Sequence, residues 1–275
     1  MNLKNKVAVI TGSDRGIGKA IALRFAREGA AVMINYAHNQ SAAEEVAAEV
    51  KKLYQVPVAV FKADVSQVKD GQQLMEEATK QLGTVDILVN NAGVEHNAPF
   101  WEVTEEDYDR VINLNLKGAF FTSQAFVRLV MKGFNPSNTS KIPPGKKIIN
   151  MSSVHQDLPF PGFASYCAAK GGIRMLTRDL AIELGQFNIT VNAIAPGAIA
   201  TDINQKMMAN PEQMKALLNQ IPLHRMGTPD EVAGIAAFLA SSDADYVTGS
   251  TYFIDGGLIH EYKEQEAEPK KAGAA

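Results

Sequence analysis

The strongest constraint on this chain is a repeated switch between two hydrophobic periods. Short runs at 7–11, 31–36, 58–62, 87–90, 147–151, 190–195 and 251–255 are rich in Val, Ile and Ala. Several are apolar on consecutive positions rather than alternate ones. A strand needs that pattern when both of its faces are covered, as in a parallel sheet. The segments between the runs have helical spacing. Ile17, Ala20, Ile21 and Phe25 fall on one face, and Gly29 stops the pattern. Thr104-Glu105-Glu106-Asp107 and Thr228-Pro229-Asp230-Glu231 read as helix starts. The second is a capping box with proline at the first helical position. Strand and helix alternating in this way predict right-handed crossovers and a doubly wound α/β sheet of seven strands, with helices on both faces.

No internal repeat or linker divides the chain, so residues 1–260 are expected to form a single domain. With 275 residues and 46% hydrophobic content, the chain can build its core without disulfide or metal support. Lys plus Arg number 27 against 30 for Asp plus Glu, a net charge of -3. That leaves no broad cationic field to attract nucleic acid or anionic lipid. Cys167 is the single cysteine, so no intrachain disulfide forms. No apolar run approaches the roughly 20 residues of a membrane span, and the first residues lead into a strand-like run without a signal-type apolar stretch. The expectation is a soluble, cytoplasmic protein with no nucleic-acid or membrane partner. The five histidines have no metal-ligand spacing, so no catalytic metal is expected. Two stretches break the rhythm. Residues 134–146 read as a polar surface loop, and residues 261–275 as a C-terminal tail that is partly disordered.

Thr11-Gly12-Ser13-Asp14-Arg15-Gly16-Ile17-Gly18 follows the first strand and opens the first helix. Gly12 permits a sharp turn, Gly16 lets backbone approach a pyrophosphate, and Gly18 lets the helix pack closely on the strand. The unpaired N–H groups of the helix start would then face phosphates. This strand–turn–helix context makes the glycine spacing a dinucleotide signal, and the sheet a Rossmann-like one.

Tyr166 and Lys170 lie one helical turn apart, so both side chains can enter one cleft. A free phenol has a pKa near 10, too high for a base at neutral pH, and a nearby ammonium would stabilise the phenolate. The pair reads as an acid–base couple, or as an ordinary helix pair with a half-buried tyrosine. Ser153 closes the run at 147–151, at the sheet edge where open α/β sheets bind ligands. Its hydroxyl could hold a reacting oxygen, while Ser152 would point the other way. Cys167 reads as a packing residue. Phe100 and Trp101 read as core or rim packing, or as a substrate wall.

Together these motifs resemble the short-chain dehydrogenase/reductase family over about residues 5–260. Further segments join the match: Asp64-Val65, Asn91-Ala92-Gly93, Pro196-Gly197, Ile199 and Thr201. The resemblance implies a dinucleotide-binding and catalytic domain. In that reading Gly12, Ser13, Arg15, Gly16, Ile17, Gly18 and these segments hold the cofactor, with Tyr166 and Lys170. Tyr166 exchanges the proton. Lys170 lowers its pKa and binds the ribose. Asn115 supports a water-linked relay, and Ser153 orients the substrate. The stretch 203–220 falls where the family has a mobile substrate lid. The helix beginning near Asp107, with Leu114, Ala119, Phe120 and Phe121, and the helix at 164–184 are apolar around much of their circumference, and the family implies a homotetramer through them.

NAD-specific sites carry an acid about 20 residues past the glycine loop. Residues 35–39, Asn-Tyr-Ala-His-Asn, have none, and Arg15 suits a 2′-phosphate. NADP is the expected cofactor, with NAD tolerated. Asn91-Ala92-Gly93-Val94-Glu95, Met151-Ser152-Ser153-Val154-His155 and Leu158-Pro159-Phe160-Pro161 are similar to bacterial glucose 1-dehydrogenases. That likeness implies a small-molecule sugar substrate between Glu95, His155, Ser153 and Tyr166, oxidised at C1 to a lactone. On the residues alone, Glu95 reads equally as a solvated loop charge and His155 as loop packing. Reduction of a 3-oxoacyl thioester or small ketone is the alternative. A nicotinamide-binding regulator with little turnover is the reading from another class.

Overall fold

The computed structural model describes residues 2–132 and 145–260. The loop expected at 134–146 lies outside them up to residue 144, and the tail at 261–275 lies outside them entirely.

The strands are β1 (Val7–Ile10), β2 (Ala31–Tyr36), β3 (Val58–Lys62), β4 (Ile87–Asn90), β5 (Lys146–Met151), β6 (Ile189–Pro196) and β7 (Thr251–Ile254). They form one seven-stranded sheet in the order β3-β2-β1-β4-β5-β6-β7, and every pairing is parallel. The seven apolar runs are these strands, with ends shifted by a residue at most. β1, β2, β4, β5 and β6 are buried at every position, the two-sided cover that consecutive apolar residues call for.

The helices α1 (Gly16–Arg27), α2 (Gln40–Tyr54), α3 (Val68–Leu82), α4 (Glu105–Ile112), α5 (Ala119–Met131), α6 (Ala164–Gly185), α7 (Gln205–Met208), α8 (Pro211–Leu218) and α9 (Pro229–Ala240) complete the element order. Alternate strand residues feed two cores. Ala8, Ile10, Val32 and Ile34 pack with α1, α2 and α9 on one face. Val9, Met33, Leu88 and Val191 pack with α3, α5 and α6 on the other. Thr228 caps α9 through its side chain and Glu231 completes the capping box. Thr104 caps α4.

From β1 the sheet grows both ways, to β2 on one side and β4 on the other. That reversal opens a crevice at the carboxyl ends of the strands. At the amino ends, Asp86 takes the Val7 N–H at 2.9 Å and the Lys146 Nζ at 2.7 Å, tying β1, β4 and β5 together. None of the described helices is long and apolar enough to cross a membrane. Phe100 and Trp101, expected in the core or beside the cleft, are exposed instead and do not line it.

Candidate active site

A cleft of about 500 Å³ runs across the carboxyl ends of the strands. Its first half is built on the glycine turn. Gly12 and Gly16 have φ of +60° and +54°, the left-handed region that favours glycine. A Cβ on Gly18 would lie 2.3 Å from the Gly12 carbonyl oxygen, so only glycine lets α1 start this close to β1. The turn is braced from two sides. The Asn35 side chain accepts the Gly12 N–H at 2.9 Å. Asn91 Nδ2 donates to the carbonyls of Thr11 at 2.9 Å and Gly12 at 3.0 Å. The Arg15 side chain makes no capping bond at the start of α1, so the first-turn amides have no side-chain acceptor. Such amides fit a dinucleotide pyrophosphate.

Arg15, Gly16, Ile17, Gly18, Asp64, Val65, Asn91, Ala92, Gly93, Pro196, Gly197, Ile199 and Thr201 all line the cleft. Ser13 corrects the expectation for its side chain. It is fully buried, and its hydroxyl donates to the Ile10 carbonyl at 2.8 Å and accepts the Asn35 N–H at 3.0 Å. The packing of the turn against β2 consumes it.

The second half holds the acid–base candidates. Lys170 Nζ lies 5.3 Å from the centre of the Tyr166 ring and donates to the Met151 carbonyl at 2.7 Å. The shared helix face is therefore real. The electrostatics differ from the expectation. Burial first, and the Glu95 carboxylate second, push the Tyr166 phenol above its usual value, against a lowering hydrogen bond from Ser153. Burial also pulls Lys170 down to about 8. Desolvation outweighs the ammonium in this pair.

Ser153 lies two residues beyond the end of β5 and caps a short turn, Val154–Gln156. Its Oγ accepts the His155 N–H at 3.2 Å, which leaves its own O–H to donate. Ser152 lines the cleft but donates to Gln156 Oε1 at 2.7 Å. Asn115 lies in a wide π turn, Asn113–Gly118, between α4 and α5. Its Nδ2 donates to the Val94 carbonyl at 2.7 Å and the Val111 carbonyl at 2.9 Å. Its Oδ1 is buried with no hydrogen-bond partner. A Cβ on Gly93 would lie 2.7 Å from that oxygen, so Gly93 leaves room for a donor beside it.

His155 packs against Phe160, Phe163 and Tyr166, with ring centres 4.8, 5.1 and 5.4 Å away. Burial first, then the Lys170 charge, lower its pKa to about 4. It is neutral at neutral pH, with one ring donor and one acceptor. Cys167 does more than pack, since its Sγ lies 3.7 Å from His155 Nδ1. Glu95 lines the cleft, half-buried, with no hydrogen bond or ion pair among the described residues. Burial raises its pKa. Val94, Phe160, Phe163, Met207, Leu217 and Leu258 supply an apolar wall.

A family model described as enoyl-(acyl carrier protein) reductase matches residues 12–259. The chain belongs to the short-chain dehydrogenase/reductase family. This short-chain dehydrogenase/reductase is 43% identical to 3beta-hydroxysteroid dehydrogenase 1 of Eggerthella lenta, over 94% of this chain and 95% of that protein. It is 41% identical to glucose 1-dehydrogenase 2 of Bacillus subtilis, over 94% and 96%. A solved gluconate 5-dehydrogenase from Burkholderia cenocepacia, in complex with NADP and tartrate, superposes with a TM-score of 0.84 at 35% identity, over 94% and 97%. The family and the fit of the glycine turn make this an oxidoreductase that uses a nicotinamide dinucleotide.

Sequence reasoning missed three parts of this dehydrogenase's cleft. Asn35 appeared only as a missing carboxylate, yet it braces the turn. The π turn is marked only by Asn113, Asn115 and Gly118, poor helix formers that do not identify a π turn. The apolar wall draws Met207 and Leu217 from the segment expected as a lid, and their methionine and leucine content was the available signal.

Proposed function

We propose that this protein is an NADP-dependent dehydrogenase that oxidises the ring hydroxyl at C1 of glucose or a related aldose to the lactone. One observation carries the reading. A half-buried carboxylate without a partner among the described residues, Glu95, and a neutral imidazole, His155, line one cleft with Tyr166. Sugar hydroxyls donate to a carboxylate and exchange hydrogen bonds with a neutral imidazole. An apolar substrate would leave the carboxylate and the second ring nitrogen of His155 unpaired, which is costly in a buried site.

Tyr166 takes the proton of the C1 hydroxyl as a general base. The Ser153 O–H, which hydrogen-bonds the Tyr166 phenol, turns to donate to the same substrate oxygen, while its own oxygen accepts from His155. The Lys170 charge supports the phenolate, and Asn115 holds the loop at Val94 against the π turn. The bound dinucleotide supplies the hydride acceptor. Its phosphates would lie on the first-turn amides of α1. Arg15, His38 and Asn39 line the end near β2, where no carboxylate occupies positions 35–39 to oppose a 2′-phosphate. The apolar wall favours a second reading, reduction of a 3-oxoacyl thioester or other ketone.

Initial rates decide between them. NADP with glucose should give reduced nicotinamide absorbance faster than NADPH with acetoacetyl thioesters loses it. Turnover of the thioesters alone overturns the sugar reading. Nucleotide binding with neither turnover would indicate a regulator. We further propose a homotetramer, supported by the exposed apolar residues Phe120, Met175 and Ile182 on α5 and α6.

A further inference from the structure

The charges around the cleft are unevenly divided. Among the described residues lining it, Arg15 and Lys170 are the cations. Arg15 belongs to the glycine turn. Lys170 is buried, and its ammonium already donates to the Met151 carbonyl. No described cation on the substrate side is left to receive an anion. The carboxylate of Glu95 lines that side instead, unpaired among the described residues and close enough to Tyr166 to raise its pKa. Asp14, Asp64 and Asp202 are the other acids of the lining.

We infer that Glu95 filters substrates by charge, admitting molecules that are uncharged or cationic within the substrate half of the cleft and refusing carboxylates and phosphates. An anion entering this cleft gives up hydration, meets a like charge at reduced dielectric and finds no counter-cation on the substrate side among the described residues. A hydroxyl in the same place donates a charge-assisted hydrogen bond. Discrimination of this kind comes from the repulsive element as much as from the attractive one. The filter deepens the aldose reading, because it separates aldoses from uronates and sugar phosphates. It applies equally to neutral keto esters against keto acids, so it can stand when the aldose reading falls.

The test compares kcat/KM within two matched pairs at pH 7. With NADP the pair is glucose and glucuronate; with NADPH it is ethyl acetoacetate and acetoacetate. The uncharged member should be preferred by at least about 30-fold wherever a pair is turned over. Glu95→Gln should cut that preference at least about tenfold by raising turnover of the anion. Glu95→Asp, which keeps the charge, should retain it. Equal use of anion and neutral by the wild type, or an unchanged preference in Glu95→Gln, overturns the inference. Turnover of the ester pair alone, with the preference intact, removes glucose and keeps the filter. If no pair is turned over, calorimetric titration of the NADP complex with tartrate decides. Wild type binding tartrate as tightly as Glu95→Gln overturns the filter, and tighter binding by Glu95→Gln supports it.

Discussion

A phenol that has lost its water and stands near a carboxylate is a poor acid, and Tyr166 is in that position. Its base form grows only as pH rises, so the oxidation rate should climb into the alkaline range. Lys170, pulled to about 8 by burial, keeps its supporting charge up to that region. Tyr166→Phe should lower turnover by about 10²–10⁴-fold while nucleotide affinity, read by fluorescence titration, stays within a few-fold. His155 gives a pH dependence of stability. Its ordinary value is 6.5 and its folded value about 4, so between these the unfolded chain binds more protons. Stability is full above about 6.5 and falls as pH drops towards about 4. Unfolding free energies from urea titrations at pH 7 and pH 5 should differ by on the order of 1 kcal/mol, after discounting for solvent screening. His155→Phe should lose that part of the slope. The spacing of Tyr166 and Lys170 was legible because it is local. The direction of the phenol's shift was not, because Glu95, Ser153 and the burying residues lie far away in sequence. Ser13 was misjudged for the same reason: its partner Asn35 is on the next strand.

Elements place these residues, and their contacts are unequally tolerant. At Gly18 a Cβ would meet the Gly12 carbonyl at 2.3 Å and Asn91 Nδ2 at 2.5 Å. Both atoms belong to the braced turn and cannot retreat without moving β1 or β4. Gly18→Ala should cost about 1–3 kcal/mol in urea unfolding and weaken nucleotide binding. Inside α9, a Cβ at Gly234 meets only the end of the Arg24 side chain, at 3.8 Å. Gly234→Ala should gain about 0.5–1 kcal/mol from helix propensity. The strands were readable almost to the residue, since a run covered on both faces leaves a continuous apolar stretch. The π turn was not. The asparagines of Asn113-Leu114-Asn115 are poor helix formers, but they do not say which irregularity results, because the register change is held by the bond from Asn115 to Val94, 21 residues away.

At the level of the whole molecule, the sheet separates stability from chemistry. The Asp86–Lys146 pair lies at the amino ends of the strands, opposite the cleft, with side chains 12% and 5% exposed. Asp86→Asn leaves a buried ammonium without its counter-charge and should cost about 3–5 kcal/mol. Its kcat at a temperature where the protein stays folded should match the wild type. The outer faces of α5 and α6 make a different demand. Met175 and Ile182 are 61% and 84% exposed on a helix whose inner face is buried in the core, and Phe120 on α5 is exposed beside Phe121. In one protomer these side chains meet water. The proposed tetramer would cover this apolar circumference, which is visible in the sequence, with a second copy. Light scattering of the wild type should therefore return the mass of a tetramer. Ile182→Glu would place a charge in the covered face, and desolvating it without a partner opposes assembly. Its mass should fall to that of a smaller species while its circular dichroism stays unchanged. A wild-type monomer at micromolar concentration would leave these helices exposed by design and end the tetramer proposal.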